Sequence, residues 1–481
     1  MLTPKLAAAT VLAGLLALVN PSKASAAQAS ATPKLNVLLI LADDLNCDLG
    51  CYGATEVKTP NIDALAARGV RFEHAYCQFP LCSPSRSSFL TGRRPNVTGV
   101  LTNPAANPLS PNFREKIPDT ITLPQQFKLQ GWFAARIGKL YHYGVPNDIG
   151  TSSLDDYSSW DLVINPRGRD REEHSRIFTI NPPDLGASLS WLADEGKDAE
   201  HTDGIGATEA IRLMEKFQQE ARPFFLGVGF YRPHTPYVAP QKWFDLYPTS
   251  QIKLPVQSAD DRARQPAAGY LSSKPEQDTM SDDLRRQAIQ GYHAGTSFMD
   301  AQVGRVVEAV DRLGLAKNTI IVFLSDHGYH LGDHGLWQKR SLFERSARVP
   351  LIIAAPGARA NGHSAAAPVE LVDLYPTLTA LCGFEPPAYV DGKSLRPILD
   401  DATQSVKPAA FSQTRYPGNI EGYAVRAGRW RYIEWNGGAG GRQLFDEEAD
   451  PAEAHNLAAD PAQAARVAEL SALIGPIRAH K

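Results

Sequence analysis

The stretch Val37-Leu38-Leu39-Ile40-Leu41-Ala42-Asp43-Asp44 decides the fold class. Its apolar residues run unbroken and stop at two carboxylates. A strand with one wet face would alternate apolar and polar residues, so an unbroken run of this length suits a strand covered on both faces, as in a parallel sheet between layers of helices. Two other runs end in the same way. Thr319-Ile320-Ile321-Val322-Phe323-Leu324-Ser325 stops at Asp326-His327-Gly328, and Phe224-Phe225-Leu226-Gly227-Val228-Gly229-Phe230 leads through Tyr231-Arg232-Pro233 to His234. A further apolar run, Leu351 to Ala355, closes at Pro356-Gly357. The architecture expected is α/β: a large mixed, mostly parallel sheet flanked by helices. Ligands of open α/β sheets bind beyond the carboxyl ends of the strands, so these polar residues are expected to converge on one crevice.

Helical segments stand between the runs. Thr59-Pro60 opens one with Ile62, Leu65 and Ala66 on a face, stopped by Gly69. From Asp282 to Leu313 the set Leu284, Ala288, Tyr292, Val303, Val306, Val307 and Val310 keeps mostly helical spacing, with Gly314 as its cap. His293 in this helix reads as a packing or surface residue. The middle, from about Asn147 to Asp203, is rich in Pro, Gly, Ser and charge, and reads as long loops over the sheet. After about residue 400 the texture changes to the strand-like pieces Tyr423–Arg426, Trp430–Ile433 and Gln443–Phe445, then an Ala-rich helix. This predicts a main domain over 34–400 and a smaller C-terminal α+β subdomain over 401–481.

With 481 residues, 43% apolar and 21% charged, the chain is long enough for a large core and is neither disordered, collagenous nor a coiled coil. Its 49 basic and 52 acidic residues leave a net charge of −3, so no global field draws it to nucleic acid or anionic lipid. Lys5, the apolar run Leu6 to Val19, Pro21 and Ala24-Ser25-Ala26 have the order of a secretory signal spanning 1–26, too short to anchor the chain in a membrane. Its cleavage would remove Lys5 and Lys23 and take the net charge to −5. Five cysteines are too few for a disulfide scaffold and form no zinc-ribbon pairs. Cys47 and Cys51 read as packing residues or an occasional disulfide, and Cys77 and Cys382 as core.

The densest chemical signal is Cys82-Ser83-Pro84-Ser85-Arg86, followed by Ser87-Ser88-Phe89-Leu90-Thr91-Gly92-Arg93. Pro84 suits a first helical turn and Gly92 an end, which puts Cys82 at a helix N-terminus with Arg86 one turn on, where dipole and guanidinium favour an anion. The residues alone leave a buried structural cysteine and a thiolate nucleophile open as well.

This C-x-P-x-R motif resembles the signature of the type I sulfatases, whose cysteine is oxidised to formylglycine. Thr59-Pro60-Asn61-Ile62-Asp63 and Leu90-Thr91-Gly92-Arg93 are similar to the same family, and the resemblance runs from about residue 35 to 460. It implies the alkaline-phosphatase-like fold and a sulfuric ester hydrolase. The chemistry is self-consistent: of the two hydroxyls of a hydrated aldehyde, one attacks sulfur and the other lets sulfate leave, where a serine would remain a stable ester. Such a site needs acids, bases and a metal around residue 82.

The resemblance implies Ca²⁺ held by Asp43, Asp44, Asp326 and the modified Cys82, with His327 a further ligand; many family members carry Asn there, the iduronate-type branch His. Gly138-Lys139-Leu140-Tyr141-His142 is similar to the family's lysine–histidine pair, at the K-x-x-H spacing of that branch. It implies that Lys139 holds a nucleophile or sulfate oxygen and that His142 is the base. Arg232-Pro233-His234-Thr235-Pro236 implies His234 as general acid, and Gly332-Asp333-His334-Gly335-Leu336-Trp337-Gln338-Lys339 implies Lys339 as a grip on sulfate. The partners implied are a sulfated carbohydrate and a formylglycine-generating enzyme, in the periplasm or outside the cell, with a lysosome as the alternative. A phosphoester hydrolase on the same scaffold would turn over phosphate and not sulfate esters. A non-catalytic glycan-binding relative would have lost catalytic residues, and none is missing. Loops at about 95 to 115, 147 to 203 and 255 to 280 are expected to set specificity. Asn96-Val97-Thr98 is a lone glycosylation sequon of the kind that arises by chance.

Overall fold

A computed structural model of the chain describes residues 34–103, 112–256 and 262–480. The expected signal at 1–26 lies outside them, as do parts of two of the expected specificity loops. The central sheet has eight strands: β1 (Asn36–Asp43), β2 (Val70–Phe72), β3 (Phe133–Gly138), β4 (Leu162–Ile164), β5 (Phe224–Pro233), β6 (Thr319–Ser325), β7 (Leu351–Ala354) and β8 (Ser364–Ala365). Their order across the sheet is β8-β2-β7-β6-β1-β5-β3-β4. From β6 through β1, β5 and β3 to β4 every pair is parallel, whereas β7 runs antiparallel to both β6 and β2. The mixed, mostly parallel sheet is as expected. The apolar run at Leu351 is its antiparallel member, since the chain returns from β6 without a crossover helix.

β1 is buried along its whole length because both faces are covered. Val37, Leu39 and Leu41 enter one core with Phe225, Val322, Leu324 and Tyr375. Leu38, Ile40 and Ala42 point the other way, into a core with Leu213, Val303, Val306 and Val310. The second core is closed by α1 (Pro60–Ala66), α3 (Thr202–Gln219) and α4 (Asp282–Arg312). Helix α4 spans 31 residues, is opened by the Ser281 side chain accepting from the Leu284 N–H, and is followed by Gly314 at φ 70°. His293 is buried against Tyr247, the packing role expected. On the first face lies α2 (Cys82–Thr91), closed by Gly92 at φ 68°.

Two segments differ from expectation. Residues 147–203 are not only loops: they supply β4, the edge of the main sheet, and the pieces Phe178–Thr179 and Ser190–Asp194, which pair with Tyr237–Pro240 in a small sheet. Strands of two to five residues are too short to show periodicity. The C-terminal region forms a four-stranded antiparallel meander, β9 (Ala409–Tyr416), β10 (Ile420–Ala427), β11 (Trp430–Trp435) and β12 (Arg442–Asp446), covered by α5 (Ala464–Ala479). Its first strand, β9, was not among the pieces expected. Both its faces are packed, which erases the alternation.

Strand β9 is tied to the main body. The Gln413 N–H donates to Gln78 O at 2.9 Å and the Ser412 hydroxyl to Cys77 O at 2.6 Å. Nearby, buried Arg94 grips Glu370 bidentately at 2.8 Å for both bonds, and Lys407 bridges Glu370 and Asp373 at 2.8 and 2.6 Å. Glu370→Ala leaves two buried cations short of their partner, so denaturant unfolding is expected to show a loss of about 3–5 kcal/mol. A change within 0.5 kcal/mol would mean that water reaches these groups. Asn96 donates its side-chain amide to Tyr423 and to Ile477 O, so the sequon nitrogen is engaged in packing. Among the described residues no helix is long and apolar enough to cross a membrane.

Candidate active site

The parallel registers bring the polar strand ends together. Ala42 pairs with Ser325, which sets Asp43 and Asp44 level with Asp326. Between β1 and β5 the register shifts after Leu41, so Asp43 meets Pro233 and the chain delivers His234 beside it. Gly138 of β3 pairs with Gly229 of β5, and here both glycines are required. A Cβ on Gly138, at φ 68°, would lie 2.2 Å from Gly229 O, and one on Gly229 would lie 2.1 Å from Lys139 O. This close approach turns Lys139 into the crevice.

Arg86 joins the strand ends. Its Nε donates to Asp326 Oδ2 at 2.9 Å, its Nη2 to Asp43 Oδ1 at 2.8 Å, and its Nη1 to Lys139 O at 2.5 Å and Leu140 O at 3.2 Å. The guanidinium expected to face an anion is therefore engaged by the protein and organises the carboxylates. Lys139 Nζ bonds the other oxygen of Asp43. Asp44 sits at φ 66°, a left-handed backbone; its N–H donates to Asp326 Oδ1 at 3.2 Å and its carbonyl accepts from the Tyr292 hydroxyl at 2.9 Å.

Cys82, buried at the first turn of α2, lies at the centre. Lys339 Nζ donates to its Sγ at 3.2 Å and to Asp44 Oδ1 at 2.5 Å; His327 Nε2 is 3.3 Å from the sulfur. His327 Nδ1 donates to Gly328 O at 2.9 Å, which fixes the ring. His234 Nδ1 donates to Thr235 O, leaving Nε2 3.7 Å from Asp44 Oδ2. Lys339 is held between Gln338 at φ 71° and Arg340 at φ 78°, two left-handed non-glycine residues. His142 is close enough to share the fields of Lys139, Asp43 and Lys339, and its Nδ1 is buried with no hydrogen-bond partner.

Burial and charge set the protonation states. Burial alone would raise the Asp43 carboxyl, but Lys139, His234 and Arg86 hold it well below its usual range. Asp44 is pushed up to about 7 by burial in spite of Lys339, with the Cys82 sulfur adding to the rise. Burial also opposes ionisation of Cys82, yet Lys339 and Lys139 bring its thiol below the ordinary value. For His327 burial disfavours charge, but Asp326 and Cys82 raise it to about 9. Burial, with the cations of the site, holds His142 and His234 well below the usual histidine value, so both are neutral imidazoles in the free site.

The donor set fits a hard divalent cation. Donor atoms of Asp43, Asp44, Cys82 and His234 lie within 4.8 Å of one another, as do those of Cys82, Asp326 and His327. Asp44 Oδ2 is buried without a hydrogen-bond partner. Three converging carboxylates suit an oxygen-seeking ion such as Ca²⁺.

All ten residues singled out in the sequence therefore meet at one place. Others were not foreseen. The Ser85 hydroxyl donates to Asp326 O at 2.5 Å, and the Ser325 hydroxyl accepts from the Leu45 N–H and donates to His327 O, both at 2.9 Å. Arg232 holds the His234 loop through His234 O and Pro236 O, and is itself held by Asp170 at 2.8 Å; Asp203 accepts from the Tyr231 and Arg232 N–H groups. Tyr292 reads in sequence as one more apolar helix residue, and Asp170 as a charge in a loop, so neither carried a signal. A cleft of about 760 Å³ opens over His142, His234 and Lys339 and is lined by parts of all three expected specificity loops, including Asn103, Ala187 and Lys274.

Comparison with known proteins agrees with this geometry. The sulfatase family pattern matches residues 35–384, and a pattern described as N-sulphoglucosamine sulphohydrolase, C-terminal, matches residues 332–479. The chain is 33% identical to iduronate 2-sulfatase of Mus musculus, over 90% of this chain and 92% of the relative. It is 34% identical to a sulfatase of Formosa agariphila, over 92% and 86% of the two chains. The solved structure of a phosphonate monoester hydrolase of Agrobacterium radiobacter superposes with a TM-score of 0.76 at 23% identity, covering 93% of this chain and 96% of that one, a likeness of fold. The fold is sulfatase/alkaline-phosphatase-like, a mixed α/β architecture, and the candidate site sits at the ends of its parallel strands. The chain belongs to the sulfatase family and is a sulfuric ester hydrolase.

Proposed function

We propose that the protein removes sulfate from a sulfated carbohydrate, in the manner of the iduronate 2-sulfatases it is similar to, and that Cys82 is its nucleophilic position after conversion to formylglycine by a maturation enzyme. The observation that carries this reading is the buried Cys82 at a helix start, within reach of Lys339, His327 and Asp44. Formylglycine supplies a hydrated aldehyde, one hydroxyl to attack sulfur and one to release sulfate. Ca²⁺, held by Asp43, Asp44, Asp326 and residue 82 with His327 beside them, supplies positive charge against the developing oxyanions.

The chain's own residues do the rest. Lys339 and Lys139 point ammonium groups at the place a sulfate occupies over residue 82, and neutralise it on entry to a dry site. Arg86 holds Asp43 and Asp326 in place and helps to keep Asp43 ionised. His142 accepts a proton at Nδ1 or Nε2 from the nucleophile's hydroxyl. His234, whose Nδ1 is committed to Thr235 O, gives a proton from Nε2 to the leaving alcohol. The charge of a bound sulfate offsets the lysines that depress His234 in the free site, so the imidazolium becomes accessible with substrate present.

His234→Gln is expected to lower kcat by about 10²–10³-fold for an alkyl or sugar sulfate, and far less for a nitrophenyl sulfate, whose leaving group needs no proton. Equal losses on both esters would exclude the general-acid role. A screen of defined sulfated mono- and oligosaccharides with sulfate release as readout tests the reading as a whole. Turnover of phosphate or phosphonate esters without sulfate release would favour the second reading, a phosphoester hydrolase, which the fold likeness to a phosphonate monoester hydrolase keeps in view. The leader sequence supports export to the periplasm or beyond, or to a lysosome. Residues 34–400 are assigned as the catalytic domain and 401–481 as its C-terminal subdomain, a division supported by the meander that begins at β9.

A further inference from the structure

Lys339 carries its ammonium on a flexible four-carbon stem, so the charge is only as well placed as the backbone beneath it. That backbone is costly. Gln338 and Arg340, on either side of Lys339, are both left-handed, at φ 71° and 78°, and neither is glycine. Such conformations persist only where the surroundings over-determine them. On the Gln338 side the holds come from the main body: the residue pairs with His330, its amide donates to Ala187 O at 2.9 Å, and its Oε1 accepts from Gln277 at 3.1 Å. On the Arg340 side they come from the C-terminal meander. Tyr416, the last residue of β9, donates its hydroxyl to Arg340 O at 2.5 Å. Arg340 Nη2 donates to Arg415 O at 2.8 Å, and its guanidinium lies 4.5 Å over the Tyr416 ring. The ring is fixed in a core that Leu336, Leu342 and Phe343 share with Trp435 of β11. Two residues further on, Leu342 O accepts from Arg431 of β11 at 3.0 and 2.6 Å.

The direction of the Arg340 carbonyl follows from the φ and ψ of that residue, so a donor aimed at it selects the left-handed form. We infer that Tyr416 is a positioning residue for Lys339: by fixing Arg340 in its left-handed conformation it presets the ammonium between Asp44 and Cys82, and so gives the C-terminal meander a part in sulfate binding. Without the hydroxyl, the remaining holds on Arg340 are side-chain contacts, which do not sense where its carbonyl points. The peptide can then turn to negative φ, the ordinary preference of an L-residue. Lys339 leaves its place for part of the time, and the apparent affinity for sulfate falls by the fraction lost. Tyr416 also borders the cleft, but its hydroxyl proton is spent on Arg340 O. This inference rests on the sulfatase reading, with Lys339 as the grip on sulfate.

The test uses the full-length, matured enzyme with nitrophenyl sulfate as substrate and inorganic sulfate as competitive inhibitor. Tyr416→Phe keeps the ring and removes only the hydroxyl. It is expected to raise KM and the sulfate Ki together by about three- to tenfold, the worth of one hydrogen bond, with a smaller change in kcat. Tyr432→Phe is the control. Tyr432 is buried in β11 and its hydroxyl bonds Glu434 at 3.1 Å, so its loss should lower stability and leave Ki unchanged. A direct contact of the Tyr416 hydroxyl with sulfate would also raise Ki, so the backbone is tested separately. Glycine takes positive φ freely and alanine does not. With Tyr416 in place, Arg340→Gly and Arg340→Ala are expected to bind sulfate alike. Combined with Tyr416→Phe, the Arg340→Gly variant should bind it about fivefold or more tighter than the Arg340→Ala variant. An unchanged Ki in Tyr416→Phe, an equal rise in Tyr432→Phe, or equal Ki values for the two double variants would overturn the positioning role and leave the sulfatase reading standing. Failure of the wild type to release sulfate from nitrophenyl sulfate or any sulfated sugar would instead remove that reading, and the role with it.

Discussion

Cys82→Ala is expected to lower sulfate release by on the order of 10⁴-fold or more while leaving the fold intact. The side chain is small and buried, and its loss removes the nucleophilic position without unpairing Arg86, whose four donated bonds go to Asp43, Asp326 and two backbone carbonyls. Cys82→Ser separates two explanations. If residue 82 must become an aldehyde, serine is expected to react once at most and to be recovered as a sulfate ester by mass spectrometry of that peptide. If the thiolate itself were the nucleophile, the unmodified cysteine would be active. Activity in the wild type should therefore scale with the fraction of Cys82 converted when the protein is made with and without a formylglycine-generating enzyme. Full activity from protein whose residue 82 is an intact cysteine would sink the formylglycine mechanism.

Chelation of the proposed calcium is the second large effect expected. Asp43, Asp44 and Asp326 are all buried, and Arg86, Lys139 and Lys339 bond them but leave Asp44 Oδ2 without a hydrogen-bond partner, a position suited to a divalent ion. Chelation is expected to reduce turnover by about 10³-fold, on the scale of losing one dominant electrostatic contribution to the transition state. Ca²⁺ should restore it better than Mg²⁺, which demands a smaller, near-octahedral shell. A readout independent of activity follows from linkage: at a hundredfold excess over Kd, an ion that binds only the folded chain contributes about 2.7 kcal/mol, enough to raise Tm by several degrees. Asp326→Asn and Asp44→Asn should lose most of that rise. Undiminished activity and Tm after exhaustive chelation would eliminate the metal.

The strand ends were legible because a parallel strand buried on both faces must be apolar throughout, so a sudden carboxylate marks where the sheet stops being covered. That is why Asp43, Asp44, His234 and Asp326 could be placed at one crevice from runs far apart in the chain. Cys82 and Lys339 were legible for a different reason, their motifs, which no periodicity would have revealed. The supports were not legible. Tyr292 carries the Asp44 carbonyl from within an amphipathic helix, and Asp170 holds Arg232 from a segment that reads as loop. Each acts through one long-range hydrogen bond, and a single polar contact leaves no pattern in the local sequence. Strand β9 was missed because it packs on both sides and shows no alternation.

By itself the sequence determined the fold class, the family, and which ten side chains belong together, since hydrophobic runs and spaced motifs are local properties of the chain. Tertiary structure alone decided how those side chains divide their work. It turned Arg86 from a candidate anion contact into the clamp of two carboxylates, because three strand ends present oxygens to one guanidinium.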